Sequence, residues 1–247
     1  MSFLSSKINP FCSFTINLGP LYVERVLDSL LIKRGITNVN SLSTEVRYNQ
    51  YLLLLNIMAR SVSRVQYPVV LFYKAFFFEQ SASITTHDDN KAHFQEKALC
   101  YYQAFVEIAT KVDESRYFAL WQIGILQDKL NYPWLETEMS LLNASSIDPI
   151  RGEAYKAIIA HYVRNKQWKT AHKHSLIAKN NYAGKNPAAT RQWFVDFTFY
   201  DSWIIDTHLT ICYELGYMQE AHRVSDQINV NLHATAPYKT APEFSEF

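Results

Sequence analysis

The chain has 247 residues, of which 48% are hydrophobic, 15% are aromatic and only 6 are glycine. Phosphate-binding loops, nucleophile elbows and β-rich folds depend on glycine, because positive φ angles and close backbone approach are cheapest there. The composition therefore favours helices joined by short turns. A formal net charge of +1 provides no basic footprint for nucleic acid or an anionic membrane surface.

The N-terminal segment and the cysteines give information on the cellular location of the protein. The apolar residues of segment 1–19 are interrupted by polar residues and proline. The segment therefore lacks the compact apolar stretch of a signal peptide. The sequence contains no run of about 18 apolar residues, so no membrane span is expected. The three cysteines lie far apart, which suits a reducing compartment and neither a disulfide framework nor a zinc site. They are Cys12, Cys100 and Cys212. We therefore expect a cytoplasmic protein.

Helical periodicity begins at residue 20. The segment 20–34 places its apolar residues on one face and is followed by Gly35, which can serve as a C-cap. A second helix is predicted over about 44–65, with Ser43 or Thr44 as its N-cap.

The third predicted helix opens at Pro68, because proline is tolerated in a first helical turn. Its apolar residues lie on most sides, which indicates a helix buried between neighbours. Four of its aromatic side chains are expected in the core: Phe72, Phe76, Phe77 and Phe78.

Seven further helices are predicted after the polar loop 84–90. Asp113 is expected to cap one of them, Pro133 begins another, and Asp148-Pro149 marks a break. Their predicted ranges are about 91–111, 114–130, from 133, 150–165, 167–181, 198–215 and 218–231. The tail from His233 is expected to fray. Because the connections are short, neighbouring helices should pack antiparallel as successive hairpins.

Three turn-and-helix segments resemble one another, at 130–149, 165–179 and 215–228. Each has a polar or glycine turn, then an aromatic residue and then a small or short residue, which is Ala171 in the second segment and Ala221 in the third. A fourth, more diverged copy has Ala98 at the equivalent place. In a tetratricopeptide repeat the small residue sits where two antiparallel helices approach most closely, and a large side chain there would overpack the crossing.

These patterns predict an all-α fold in which antiparallel helical hairpins stack into a tetratricopeptide-like right-handed superhelix. The predicted organisation is an N-terminal helical region (1–67), a repeat region (68–232) and a flexible tail (233–247). One continuous domain from about 18 to 232 is the favoured form of this arrangement.

Two motifs within residues 113–222 carry a resemblance to a known family. They are a Pro-x-Arg-x-Glu-Ala step and a Phe-Val-Asp-x-x-x-Tyr stretch that leads to a helix ending in Gly, Glu and Ala. The matching residues are Pro149, Arg151, Glu153, Ala154, Phe194, Val195, Asp196, Tyr200, Gly216, Glu220 and Ala221. The segment resembles the tetratricopeptide-like region that accompanies family-2-type glycosyltransferases, and the likeness extends more loosely over 68–231.

The chain departs from that family where the chemistry would lie. Such a transferase needs an α/β nucleotide-binding domain with an Asp-x-Asp metal site, and neither is found in this sequence. The resemblance therefore implies the helical scaffold without the transferase activity. The glycines are also too widely separated for a dinucleotide fingerprint or a phosphate loop, and there is no G-x-S-x-G or H-E-x-x-H motif. No enzymatic activity and no cofactor are predicted.

Histidines and aspartates offer two candidate clusters. His161, His172 and His174 can be drawn together by one hairpin, but residues two apart on a helix point away from each other. Packing or exposed roles are therefore favoured, and no metal site is predicted. Asp196, Asp201 and Asp206 follow a five-residue spacing that separates them around a helix. Asp196 is expected to cap a helix instead.

Two further groups have a structural and a functional interpretation. Glu153 complements the dipole of its helix and Arg151 can pair with a neighbouring helix, which is favoured over catalysis. An aromatic group is expected to fill the joint between two hairpins, with a partly exposed platform for a peptide or sugar as the alternative. It consists of Trp193, Phe194, Phe197, Phe199, Tyr200 and Trp203.

The sequence as a whole predicts a non-catalytic helical-repeat scaffold that binds a protein or peptide partner in its concave groove. The predicted contact residues are Tyr117, Gln122, Lys156, Tyr162, Arg164, Trp193, Tyr200 and Trp203. The alternative is an accessory domain or remnant of a glycosyltransferase, which binds a carbohydrate-related ligand or supports a catalytic subunit. A third hypothesis is an enzyme whose chemistry lies in residues 1–67. No nucleic-acid partner is expected.

Overall fold

The computed structural model describes residues 20–36, 38–64, 66–110, 113–185 and 195–235. These residues are helical apart from short connections, and none of them forms a strand, so the predicted all-α class is confirmed. The helices are α1 (Pro20–Lys33), a 3-10 helix (Val39–Ser41), α2 (Thr44–Ala59), α3 (Tyr67–Ile84), α4 (Asp88–Ile108), α5 (Glu114–Lys129), α6 (Trp134–Ile147), α7 (Glu153–Arg164), α8 (Trp168–Tyr182), a π-helical turn (Phe199–Trp203), α9 (Ile204–Leu215) and α10 (Met218–Thr235). No helix in these ranges combines the length and the apolar character needed to cross a membrane.

Internal contacts divide the chain into two units. The first runs to Ala154 and contains α1 to α6, and the second starts at Tyr155 and contains most of α7 together with α8 to α10. Helices α1 and α2 share one hydrophobic core with α3, α4 and α5, so the helices on both sides of residue 67 belong to the first unit.

Helix α3 lies at the centre of the first unit. Residues 69–77 are all buried, and α2 and α4 pack against this helix. The Phe72 ring lies 5.3 Å from that of Phe105 and 5.8 Å from that of Phe118. Phe72, Phe76 and Phe77 are buried as predicted, and Phe78 is partly buried against the same core. Burying such a side chain contributes roughly 1.5–3 kcal/mol, so α3 is the main apolar anchor of this unit.

The predicted helix caps are present. Ser43 begins α2, where its hydroxyl accepts a hydrogen bond from the Val46 N–H at 3.3 Å. Asp113 begins α5, and its carboxylate accepts from two backbone N–H groups of the first turn at 3.1 and 3.3 Å. Gly35 ends α1 with a φ of 93°. These caps satisfy backbone groups that a helix end otherwise leaves without partners.

Several helix ends differ from their predicted positions. Helix α2 ends at Ala59 and does not reach residue 65, because serines and β-branched residues follow and favour non-helical backbone. Helix α4 begins at Asp88, inside the predicted loop, since acidic residues are favourable in a first helical turn. Helix α10 continues to Thr235, past the predicted start of the tail at His233, and residues 236–247 of that tail lie outside the described residues. The predicted helix from 198 begins with the π-helical turn.

Three hairpin turns share one backbone geometry. They join α5 to α6, α7 to α8 and α9 to α10, through residues with positive φ: Asn131 (58°), Lys166 (53°) and Gly216 (72°). The next N–H in each turn donates to a carbonyl five positions earlier: Tyr132 to Gln127 at 2.9 Å, Gln167 to Tyr162 at 2.8 Å and Tyr217 to Cys212 at 2.8 Å. This is the Schellman arrangement that ends a helix and turns the chain sharply.

Small residues recur at the fourth position of the helix after each turn. Thr137, Ala171 and Ala221 occupy these positions in α6, α8 and α10, and all three are fully buried. In the first hairpin the facing helix contributes Gly124, where an added Cβ would lie 2.5 Å from Leu141 Cγ. The α5–α6 crossing therefore depends on the absence of a side chain at Gly124.

Candidate functional site

The most deeply buried charges form the Arg151 network, which consists of Arg151, Glu153, Glu114 and Tyr117. The Arg151 guanidinium donates to both Glu153 oxygens at 2.9 and 3.0 Å and to Glu114 at 3.2 Å. It also lies over the Tyr117 ring, 4.6 Å from the centroid. The Tyr117 hydroxyl completes the network by donating to Glu153 at 2.9 Å.

The Arg151 network stabilises the fold and does not form an accessible site. Arg151 and Glu153 are completely buried, so neither side chain is available to a substrate. Bidentate pairing and the aromatic face offset the cost of removing the guanidinium from water. Arg151 thus joins the start of α7 to α5 through Glu114, which is the pairing with a neighbouring helix that the sequence suggested.

Half of the eight predicted partner-contact residues lie inside the protein. Tyr117, Gln122, Tyr162 and Tyr200 are buried. Their side chains contribute to packing, so this part of the predicted contact set is wrong as an accessible surface. Arg164 is exposed, Lys156 and Trp203 are partly buried, and Trp193 lies outside the described residues.

Lys156, Asp196 and Trp203 meet in the second unit. The Lys156 ammonium lies 2.6 Å from the Asp196 carboxylate and 5.4 Å from the centroid of the Trp203 ring. Burial alone would raise the pKa of Asp196, but hydrogen bonds from Lys156 and Thr198 outweigh it and lower that pKa. Asp196 also accepts from the Phe199 N–H, in keeping with the predicted capping role. This ion pair is partly buried, and the lysine ammonium is held by the Asp196 carboxylate.

Two of the four described members of the aromatic group at 193–203 are buried. Phe199 and Tyr200 are buried and pack edge to face with 5.0 Å between their centroids. Phe197 is exposed and Trp203 is partly buried, whereas Trp193 and Phe194 lie outside the described residues. Among the described members, the packing interpretation therefore holds for the two buried rings.

A pocket of about 520 Å³ opens between α3, α4 and α5. Its charged lining residues are Glu79, Asp88, Lys91 and Lys129. The Tyr102 hydroxyl donates to Glu79 at 2.9 Å. Burial raises the pKa of Glu79, and this effect exceeds the opposing influences of Tyr102 and Lys129. The carboxylate is therefore less stable here than in water.

This raised pKa predicts a pH-dependent stability difference. The protonated form of Glu79 is preferred in the folded state, so its favourable contribution is present at acidic pH and is lost as the pH rises through the raised pKa. In Glu79→Gln, the amide oxygen can still accept from Tyr102. We therefore expect the stability of this variant relative to wild type to increase as the pH rises from about 4, the ordinary carboxyl range.

Urea unfolding followed by circular dichroism at several pH values measures this difference. Glu107→Gln is the matched control, because Glu107 is exposed on α4 and should leave the pH profile unchanged. A relative stability of Glu79→Gln that stays flat or decreases with pH would contradict the expectation.

Four potential metal ligands converge in the second unit as the histidine cluster, which comprises His172, His208, Cys212 and Glu220. Helix α8 contributes His172, α9 contributes the buried pair His208 and Cys212, and α10 contributes Glu220. Their ligand atoms all lie within 4.8 Å of one another. The two imidazole rings stack with centroids 5.4 Å apart.

Contacts within the histidine cluster are short. Glu220 lies 3.0 Å from His172 Nε2 through one oxygen and 3.1 Å from His208 Nε2 through the other. The Cys212 sulfur lies 3.7 Å from His208 Nε2. Burial, together with the Lys179 charge, lowers the pKa of His208 to about 4, so its ring is neutral near pH 7. Burial likewise raises the pKa of the Cys212 thiol.

The sequence-based histidine set was His161, His172 and His174, and the structure separates its members. His174 stacks on Tyr162 with 5.4 Å between centroids, and His161 contacts Asn165 at 3.1 Å. Only His172 belongs to the histidine cluster. The i, i+4 spacing of His208 and Cys212 is the one sequence signal that marks their common helix face.

An apolar row is exposed on α6. Leu135, Met139 and Leu142 are 70%, 57% and 39% exposed. Their i, i+4, i+7 spacing places them on one face of the helix, and together they are called the α6 stripe below. Isolated exposed apolar residues are ordinary, but a continuous row of them is typical of an interaction surface.

Comparisons with known proteins provide no family assignment. No protein-family model, curated protein or solved structure matches the chain. The resemblance to the glycosyltransferase-associated helical region therefore stays a prediction. Function has to be argued from the sites themselves.

Proposed function

We propose that the chain is a non-catalytic scaffold of tetratricopeptide-like hairpins that binds an amphipathic helix of a protein partner on the α6 stripe. The observation that carries this proposal is the exposure of Leu135, Met139 and Leu142 along one helix face. A row of large apolar side chains in water is unfavourable, and covering it with an apolar partner face would recover that free energy.

The repeat character is supported by the hairpin geometry. The turns at Asn131, Lys166 and Gly216 have the same backbone conformation, and each is followed by a helix whose fourth residue is small and buried. Close approach of paired helices at small residues is the packing principle of tetratricopeptide repeats. Such repeats expose helix faces to partners, which makes binding a natural role for the scaffold.

Charge and spacing favour a helical, basic occupant. The stripe extends over about 10 Å, or two helical turns, which matches the anchor spacing of a helix laid along another helix. Helix α6 contains Glu136 and Glu138 and no lysine or arginine. A partner helix with Lys or Arg beside its apolar face would complement this charge.

Carbohydrate binding, the alternative function, receives less support. Sugar recognition by the aromatic group would require several accessible rings, and among its described members Phe199 and Tyr200 are buried while only Phe197 is exposed. Crosslinking to a glycan is one outcome of the experiment below, and it would contradict the proposal.

Photocrosslinking in source cells tests the proposal. A photoreactive phenylalanine analogue is placed at Leu135 or Met139, and at the exposed Glu107 of α4 as a control. We expect both stripe positions, and not the control, to crosslink to the same protein through a basic amphipathic helix. A synthetic peptide of that helix should bind the purified chain, and Leu135→Glu with Met139→Glu should weaken binding at least about tenfold, or 1.4 kcal/mol.

The double variant should remain folded, since surface substitutions usually change stability by less than about 0.5 kcal/mol. Crosslinking only to a second copy of the chain, to lipid or to a glycan would contradict the proposal. So would equal crosslinking from the stripe and from Glu107.

A further inference from the structure

We propose that the histidine cluster binds one zinc ion, with His172, His208, Cys212 and Glu220 as its four ligands, and that this ion fastens α8, α9 and α10 together. This inference is independent of the α6 stripe, which lies in the other unit. It departs from the sequence-based expectation of no metal site, because the structure brings together residues that the sequence leaves far apart.

The geometry is close to that of a bound ion. Tetrahedral zinc with ligand bonds of about 2.0–2.3 Å has ligand atoms roughly 3.3–3.7 Å apart. The separations are 3.0 Å from His172 to one Glu220 oxygen, 3.1 Å from His208 to the other and 3.7 Å from His208 to Cys212, and all the ligand atoms lie within 4.8 Å of one another. Small side-chain movements would therefore be enough to surround the ion.

Ser175 is placed to hold His208 in the form that a metal requires. The Ser175 oxygen lies 3.0 Å from the His172 carbonyl oxygen and 2.8 Å from His208 Nδ1, so when its hydroxyl donates to the carbonyl, its oxygen can accept from Nδ1–H. With the proton on Nδ1, the lone pair of His208 lies on Nε2 and points into the cluster. Metal-bound histidines are commonly oriented in this way by a hydrogen bond from the other ring nitrogen.

Without a metal, the other tautomer satisfies the same contacts, because Ser175 can donate to His208 Nδ1 and His208 Nε2–H can donate to Glu220 at 3.1 Å. Zinc would take the place of the Nε2 proton between His208 and Glu220, and the imidazole would carry its proton on Nδ1, where the Ser175 oxygen accepts it. Because the His208 side chain is completely buried, its ring cannot turn away to water.

Charge and ligand chemistry select zinc. A thiolate, a carboxylate and two neutral imidazoles carry two negative charges, which a divalent ion balances in this partly buried site. Mixed sulfur and nitrogen ligands in a tetrahedral set suit zinc, and four protein ligands close the coordination sphere. The proposed role is therefore structural, and zinc binding would release the Cys212 thiol proton to solvent.

The test uses the purified full chain, stripped of metal under reducing conditions and titrated with zinc against a chromophoric chelator. We expect one equivalent to bind and the thermal unfolding midpoint to rise. Ser175→Ala should weaken zinc affinity about 10–100-fold, and Cys212→Ser or Glu220→Gln should weaken it further. Cobalt in place of zinc should give a thiolate charge-transfer band that Cys212→Ser abolishes.

Matched controls are Cys100→Ser and Glu214→Gln, since both residues are exposed, and both variants should bind zinc like wild type. Glu220 is partly exposed, so Glu220→Gln keeps the test valid if Cys212→Ser does not fold. Failure to take up one zinc equivalent overturns the proposal. Equal uptake by Glu220→Gln and Glu214→Gln also overturns it, because it would indicate adventitious binding elsewhere.

Discussion

Replacing Arg151 with alanine is expected to lower the free energy of unfolding by about 3–5 kcal/mol, the usual cost of removing one partner from a buried ion pair. The loss does not measure the strength of the pair. It arises because Glu153 remains completely buried after both of its hydrogen bonds from Arg151 have been removed. The Tyr117 hydroxyl would still donate to that carboxylate, but the bidentate charge pairing would be lost.

Neighbouring variants should give a graded series. Tyr117→Phe removes one hydrogen bond to a charged group and should cost about 1.5–3 kcal/mol. Arg151→Lys keeps the charge but loses the bidentate geometry. Its free energy of unfolding should therefore lie between those of wild type and Arg151→Ala. Urea unfolding at pH 7 provides the free energies.

Arg25→Ala is the control for the loss of an arginine. Arg25 lies on α1 in the same unit and is exposed, so a change within about 0.5 kcal/mol is expected. If Arg151→Ala were as mild as this control, the Arg151 network would not be the buried charge pair described above.

Helix positions were predictable from sequence where the signal is local. The caps at Ser43, Asp113 and Gly35 act through side chains or backbone conformations within a few residues, and all three are present. The end of α2 was not predictable in the same way, because apolar periodicity continued beyond Ala59 while serines competed for the backbone. The sequence pattern therefore predicted the existence of α2 correctly and the position of its C-terminal end less well.

The candidate sites, unlike the helix positions, were mostly not predictable from the sequence. Tyr117 and Tyr162 were assigned to a binding surface on the basis of residue type and helix order, and both are buried. Their burial depends on which face of each helix meets its neighbours, which no local pattern specifies. The same limitation hid the histidine cluster, since α8, α9 and α10 bring His172, His208 and Glu220 together only after packing.

Substituting Gly124 with valine is expected to lower the free energy of unfolding by about 1–3 kcal/mol, the cost of overpacking a filled core. The first added carbon alone would lie 2.5 Å from Leu141 Cγ and 2.6 Å from Cδ2, both too short for ordinary contact. Leu141 is buried and has little room to move. Gly124→Ala should be milder, because alanine gains about 1 kcal/mol in helix propensity that offsets part of the clash.

A double-mutant cycle with Leu141→Ala separates overpacking from other effects. Leu141→Ala alone should cost about 2–5 kcal/mol by leaving a cavity. In the double variant the valine methyl groups would enter that cavity, so the combined loss should be smaller than the two single losses added together. Unfolding in urea gives the three values, and their non-additivity measures the contact. Simple additivity would mean that α5 and α6 do not meet at this pair, and the close hairpin crossing on which the proposed repeat depends would then be wrong.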